Sequence, residues 1–293
     1  MIGKSTVYRF YFIVGILSFA FWGCEADIPT GNDIGESSSE EPSDSLNNMA
    51  IVVLVENGGQ IDRNMQQGYE ENKAGAVLLL SSLFKVPADS IAPLSFEEMM
   101  EVYAEPFQLE RITALAQRGY GKVIGLTDEN ADLQHFLDTL VYLKASGYTT
   151  DVLFSLHANE EIVRFNDGTH AIQTITQSVK ERGIRIRCLY QTCCTSAPHI
   201  AHWEEAGVNA VNGAAGINVI TMFSPLYFLE EWMSGANFET AVQAAFDREV
   251  GTIETYSNLL PVDEYFLTEK NLLGSDQHVG GTTPGIYFKK ESE

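Results

Sequence analysis

Positive charge is what this sequence has least of. Across 293 residues Lys and Arg number 18 against 40 Asp and Glu, a formal net charge of −22. Nothing in it offers the basic stripe that a phosphate backbone needs, which excludes nucleic acid as a partner. Cationic substrates or divalent cations are favoured electrostatically, although a solvated acidic face explains most of such charge. No repeat of fixed period is present, which argues against a repeat array. Thiols are scarce, with cysteine only at 24, 188, 193 and 194, and two of the four are adjacent. What the chain does have is apolar content: 45% hydrophobic residues over this length excludes disorder throughout and supports one large domain or a domain with an appendage.

The first residues set the compartment. Lys4 and Arg9 precede the apolar run "FYFIVGILSFAFWGC", too short and wrongly flanked for a stable spanning helix, so residues 1–23 read as a signal peptide. The run stops at Gly23-Cys24 and resembles a bacterial lipoprotein signal in which Cys24 is acylated, although Phe21 and Trp22 fit the usual lipobox poorly. Next comes "EADIPTGNDIGESSSEEPSDSLNN", acidic, Ser-rich and nearly free of large apolar side chains, which cannot repay its ordering entropy. Residues 24–48 are therefore expected to be a disordered tether. Its composition resembles the surface-export signals of Bacteroidetes lipoproteins, implying a lipid anchor in the cell envelope, at the outer membrane and facing outward. With Cys24 lipidated, Cys188, Cys193 and Cys194 remain, an odd number that leaves at least one thiol without an intramolecular partner in an oxidising compartment.

From residue 49 onward strands alternate with helices. "MAIVVLVENG" is a buried-strand pattern, and "RNMQQGYEENKAGAVLLLSSLFKV" carries helical periodicity until Pro87. Ser95 and Glu98 form a capping-box pair at the head of a further helical stretch interrupted at Pro106. Then follow "KVIGL" as strand, a helix opened by Thr127 and Asn130 and closed by Gly147, "DVLFSL" as strand, "THAIQTITQSVKERG" as helix and "IRIRCLY" as strand. "APHIAHWEEAG" reads as helix, "VNAVNGA" as strand, and "PLYFLEEWMSG" and "NFETAVQAAFDREVG" as helices. Such alternation predicts an α/β fold, a three-layer α/β/α sandwich with a mostly parallel sheet, over residues 49–256. Residues 257–293 form a C-terminal extension in which "IYF" is the candidate edge strand.

In such sheets ligands collect beyond the carboxyl ends of the strands. His157 stands directly after "DVLFSL", and Cys193 two residues after "IRIRCLY". If those strands are neighbours, about 4.8 Å apart, both side chains can reach one crevice, where an imidazole can supply the base that a thiol needs. Cys188 falls in the alternation Ile184, Ile186, Cys188, Tyr190 and reads as a core residue of its strand.

An apolar strand ending in His, a helix, and an apolar strand running into "YQTCCTS" resembles the caspase-like cysteine peptidases, the group of caspases, gingipains, legumain, clostripain, separase and the CHAT proteins. "HIAHWEEAGVNAVNGAAGINVITMFSPLYFLEEWMSGANFETAVQAAF" is similar to the continuation in the CHAT-type members, and the resemblance covers roughly residues 115–250. It implies a cysteine endopeptidase without cofactor or metal, with His157 as general acid and base, Cys193 as nucleophile, and backbone amides at both steadying the oxyanion. Its partner would be a peptide or protein substrate. The resemblance further implies a pocket built by residues 211–225; Asn212, Ser224 and Asp167 are the candidate substrate-binding residues, though each suits a turn or cap equally. One departure stands out: the family has Gly directly after the catalytic His, and this chain has Ala158. Loss of access to positive φ there opens the alternative of an inactive caspase-fold lipoprotein that binds a partner protein or peptide. A third arrangement, Cys193 and Cys194 with His199 and His202, could ligate zinc, but its spacing matches no familiar zinc pattern.

Overall fold

The computed structural model describes residues 47–56, 63–216, 218, 223–259 and 276–288. The proposed signal peptide, Cys24 and nearly all of the tether lie outside the described residues. The elements in chain order are β1 (Met49–Glu56), α1 (Arg63–Phe84), α2 (Ala88–Ile91), α3 (Phe96–Met99), α4 (Glu105–Ala116), β2 (Lys122–Leu126), α5 (Leu133–Ala145), β3 (Thr149–Leu156), β4 (Ile162–Phe165), β5 (Gly168–Ala171), α6 (Ile172–Glu181), β6 (Ile186–Gln191), α7 (His199–Glu205), β7 (Ala210–Ala214), α8 (Ser224–Met233), α9 (Phe238–Leu259) and β8 (Gln277–Gly280). Six strands form the main sheet in the order β2-β1-β3-β6-β7-β8, parallel except for β8, which runs antiparallel to β7. The expected mixed α/β fold with a mostly parallel sheet is thus present. Among the described residues no helix is long and apolar enough to cross a membrane.

Every residue of β1 is buried, because helices cover both faces of the sheet. Ile51, Val53 and Val55 point into one core with Leu80 of α1, Ile112 of α4, Phe228 and Trp232 of α8, and Phe238 of α9. Val52 and Leu54 point into the other, with Phe136 and Leu140 of α5, Ile175 and Val179 of α6, and Trp203 of α7. Each such side chain contributes about 1.5–3 kcal/mol on leaving water.

Several local readings are corrected. The capping box at Ser95 forms as expected, but a π-helical turn over Met100–Ala104 joins α3 to α4, so Pro106 falls in the first turn of α4. Thr127 caps nothing with its side chain; Asp128 has φ +50, and α5 begins later with Asp132 accepting the His135 amide at 2.7 Å. The start of the expected helix at 169 is instead strand: β4 and β5 form a hairpin turned at Asn166-Asp167-Gly168, with Gly168 at φ +126. The edge strand is Gln277–Gly280 rather than "IYF", in which Tyr287 makes an isolated bridge to Asn237 and Phe288 is buried in the first core. Residues 276–288 therefore pack with the main sheet and the first core.

One irregularity interrupts the pairing of β3 with β6. Between β3 and β6 the register passes from Thr150 opposite Ile186 to Asp151 opposite Cys188, leaving Arg187 as an extra residue in β6. The bulge is held by charge: Arg187 Nε donates to Asp151 Oδ1 at 2.8 Å, and Nη2 contacts Oδ2. Tyr120 donates to Asp151 at 2.7 Å, Trp232 Nε1 donates to the Tyr120 hydroxyl at 3.1 Å, and Arg187 Nη1 donates to the Phe288 carbonyl at 2.9 Å. The guanidinium also lies 5.1 Å from the Trp232 ring and 5.5 Å from that of Phe288. The expected alternation through 184–190 is accordingly broken: Ile184 and Ile186 face the second core, Cys188 and Tyr190 the first. Asp151→Leu, which strands a buried guanidinium, should lose about 3–5 kcal/mol in urea unfolding, and Asp151→Leu combined with Arg187→Met should recover part of that loss.

Candidate functional site

The bulge sets the register in which β3 and β6 run toward the segments that hold His157 and the two cysteines. Counted from Thr150 opposite Ile186, an unbroken strand would set His157 level with Cys193. After the bulge the pairs run from Asp151 with Cys188 to Phe154 with Gln191, and the Thr192 amide still donates to the Phe154 carbonyl at 2.9 Å. The same offset carried two residues past the last pair sets Leu156 level with Cys193. Two observations agree with it. The Leu156 backbone amide lies against the Cys193 sulfur, and Leu156 and Cys193 both belong to the second core. Past that point the chain turns at Cys194 and Thr195, and His157 follows directly on the carboxyl end of β3.

The two thiols differ. Cys193, the expected nucleophile, is 0% exposed. Burial pushes its thiol far above the ordinary range, the neighbouring Cys194 adds to this, and the Leu156 amide opposes it only weakly. Cys194 is half-buried, its Sγ 4.0 Å from the Asn218 carbonyl, and burial raises its pKa too. At neutral pH both are protonated thiols, and the partly open one is Cys194. Cys188, Cys193 and Cys194 are all free of disulfides.

His157 is half-buried, and its carbonyl accepts the Arg164 amide at 2.8 Å. The Asn159 amide donates to the Ile162 carbonyl at 3.0 Å, so Ala158 bridges Val163 between these two bonds. In that pattern the Ala158 N–H points away from the hairpin. Its φ is not positive, so alanine sits after His157 without strain. The segment past Cys194 is more constrained. Thr195 has φ +45, a strained conformation for a β-branched residue, and its amide donates to the Gly216 carbonyl at 2.6 Å. Ser196 donates to the Cys193 carbonyl at 2.8 Å and accepts the Ala214 amide at 3.0 Å.

The candidate substrate residues serve the framework. Asn212 is 0% exposed; its Oδ1 accepts the Gln191 amide at 2.7 Å, and its Nδ2 donates to the Gln191 carbonyl at 2.9 Å and to Gln277 Oε1 at 2.8 Å. It splices β6 to β7 and β8 and has no polar atom left for a substrate. Ser224 is buried at the start of α8, 3.3 Å from Glu249 Oε1, and burial raises the Glu249 carboxyl to about 8. Asp167 sits in the β4–β5 turn, within 2.9 Å of His170 Nε2. His199 and His202 gather no metal set: His199 is buried with Nε2 2.7 Å from the Asn159 carbonyl, and among the described residues no three His, Cys, Asp or Glu side chains converge.

Residues that sequence reasoning passed over form a chain of amides. Gln191 Nε2 donates to the Asn212 carbonyl at 2.6 Å, Gln277 Nε2 to Asn218 Oδ1 at 3.2 Å, and Asn218 Nδ2 to the Cys193 carbonyl at 3.1 Å. The C-terminal strand thereby reaches the thiol loop. Gln191, the last residue of an apolar strand, was the available signal, since a buried amide demands partners. On the other face, at the end of β1, Glu56 is raised to about 7 by burial and by the charges of Asp128 and Glu101, with Arg164 opposing.

In the native full-length protein a thiol reagent such as DTNB should modify Cys194 first among the three domain cysteines, with Cys188 and Cys193 reacting only after unfolding, as peptide mass mapping will report. For Glu56 the folded pKa exceeds the unfolded 4.5, so its contribution is intact below that value and lost as pH rises to about 7. Glu56→Gln should therefore gain urea stability relative to wild type across this window. No family model matches the chain, and no curated protein matches it in sequence.

Proposed function

We propose that the chain is a caspase-like cysteine peptidase of the cell envelope, anchored through lipid on Cys24, with His157 as general base and Cys194 as nucleophile. The observation that supports the reading is the pairing of β3 with β6, adjacent parallel strands whose chains run on to His157 and to the half-buried Cys194. The chain order of β3, His157, α6, β6 and the cysteine pair is the order on which the resemblance rests.

A thiol held protonated by burial cannot rest as a thiolate, so His157 must take its proton as the sulfur attacks the carbonyl carbon. Sulfur bonds to carbon, the carbonyl electrons move to oxygen, and the Ala158 N–H, turned away from its hairpin, is the nearby donor for that oxyanion. Imidazolium then protonates the leaving amine, and water, deprotonated by His157, cleaves the thioester. The substrate class is a peptide or protein, with a basic residue suiting the acidic surface.

Peptide-library hydrolysis by the reduced full-length protein should fall by about a thousandfold or more in Cys194→Ala and in His157→Ala. Cys193→Ala should stay within about tenfold of wild type, because that side chain only fills core. Hydrolysis surviving in Cys194→Ala and lost in Cys193→Ala would return the nucleophile to Cys193. Equal hydrolysis in all variants, or none in wild type, would leave the binding of a partner peptide as the function of the fold.

A further inference from the structure

We propose that His199 is a positioning residue that sets the distance between His157 and Cys194; this rests on the dyad proposed above. His199 is the first residue of α7 and follows directly on the loop that carries Cys194. Its imidazole is fully buried and crosses to the other half of the crevice, where Nε2 lies 2.7 Å from the carbonyl of Asn159, two residues after His157. A ring nitrogen facing a carbonyl must carry the proton, so Nε2–H is the donor. Burial lowers the His199 pKa to about 4, which keeps the ring neutral and this tautomer in place.

Both ends of the clamp are rigid. Asn159 Oδ1 accepts the amides of Glu161 at 2.9 Å and Ile162 at 3.0 Å, so the accepting carbonyl belongs to a locked turn. On the donor side the His199 amide bonds the Ser196 carbonyl at 2.9 Å, and Ala197 bonds Ala214 at 2.9 Å, tying the loop to β7. The β3–β6 pairing ends at Phe154 and Gln191, three residues short of His157 and Cys194. Past that point the His199 to Asn159 bond spans the two strand-end loops. Shifts of about 1 Å between reacting groups cost large factors in rate, so a bond fixing that separation acts on catalysis without touching substrate.

The experiment compares His199→Leu, which removes the donor, His199→Asn, whose donor falls short of the carbonyl, and His199→Gln, whose Nε2 stands near the place of the imidazole Nε2. Two quantities are read on the full-length protein: kcat and KM for peptide hydrolysis, and the pH profile of Cys194 alkylation by iodoacetamide, which needs no peptidase activity. His199→Leu and His199→Asn should lower kcat by about tenfold or more with KM within about twofold. Their alkylation profiles should move to higher pH, as in His157→Ala, and His199→Gln should restore both. A kcat and profile unchanged in Leu and Asn variants that merely melt lower would overturn the inference, since a purely structural residue behaves so. If one variant does not fold, the other with the Gln rescue decides. Absence of hydrolysis in wild type overturns the peptidase reading alone, because the alkylation profile still reports the clamp. A profile indifferent to His157→Ala removes the dyad and this inference with it.

Discussion

The register of β3 against β6 depends on one buried charge pair near the amino ends of the two strands. Asp151 and Arg187 are both largely withdrawn from water, and each would be costly alone. Their pairing is possible only because Arg187 is the extra residue in β6, and the extra residue is tolerable only because its guanidinium is satisfied by Asp151, the Phe288 carbonyl and two aromatic faces. Everything downstream in β6 is shifted by one. Cys188 and Tyr190 go to the first core, and Leu189 and Cys193 to the second. A salt bridge near the amino ends of the strands thus sets the face of each residue that follows in β6.

The order and type of the main elements were legible in the sequence because strand and helix periods are local properties. A run such as "MAIVVLVE" can only be a strand buried on both faces, and the capping box at Ser95 is complete within four residues. What depended on distant partners was not legible. The bulge at Arg187 needs Asp151, 36 residues away, and its signal was an Arg inside an otherwise apolar strand. Period-two counting passes straight through it, which is why Ile184 and Cys188 were expected on one face and lie on two. β8 escaped for a similar reason: "QHVG" has no apolar alternation, and it is a strand because Asn212 and the β7 backbone offer it an edge. The β4–β5 hairpin was readable from "NDG", and a strong helical pattern beginning at Ile172 drew the eye past it.

Asn212, Ser224 and Asp167 each make hydrogen bonds within the protein, Asn212 to Gln191 and Gln277, Ser224 to Glu249 and Asp167 to His170. Burying an amide such as Asn212 is tolerable only when its donors and acceptor are all matched, and once matched it has nothing left to offer a ligand. The amides of Gln191, Asn212, Gln277 and Asn218 are therefore framework, and their effect on the crevice is to fix the Cys193 carbonyl and so the start of the thiol loop.

Fixing that loop has a chemical consequence. Thr195 is held at φ +45, a conformation costing about 1–3 kcal/mol for such a residue, and it is kept there by its bond to Gly216 and by the anchoring of Ser196 to Cys193 and Ala214. The strained Thr195, the Ser196 bonds and the His199 bond to Asn159 thus all act on the loop that carries Cys194. Burial raises the Cys194 pKa, and a protonated thiol is less readily oxidised than a thiolate. In the proposed mechanism deprotonation must therefore be coupled to attack, and a loop held at several points suits that coupling.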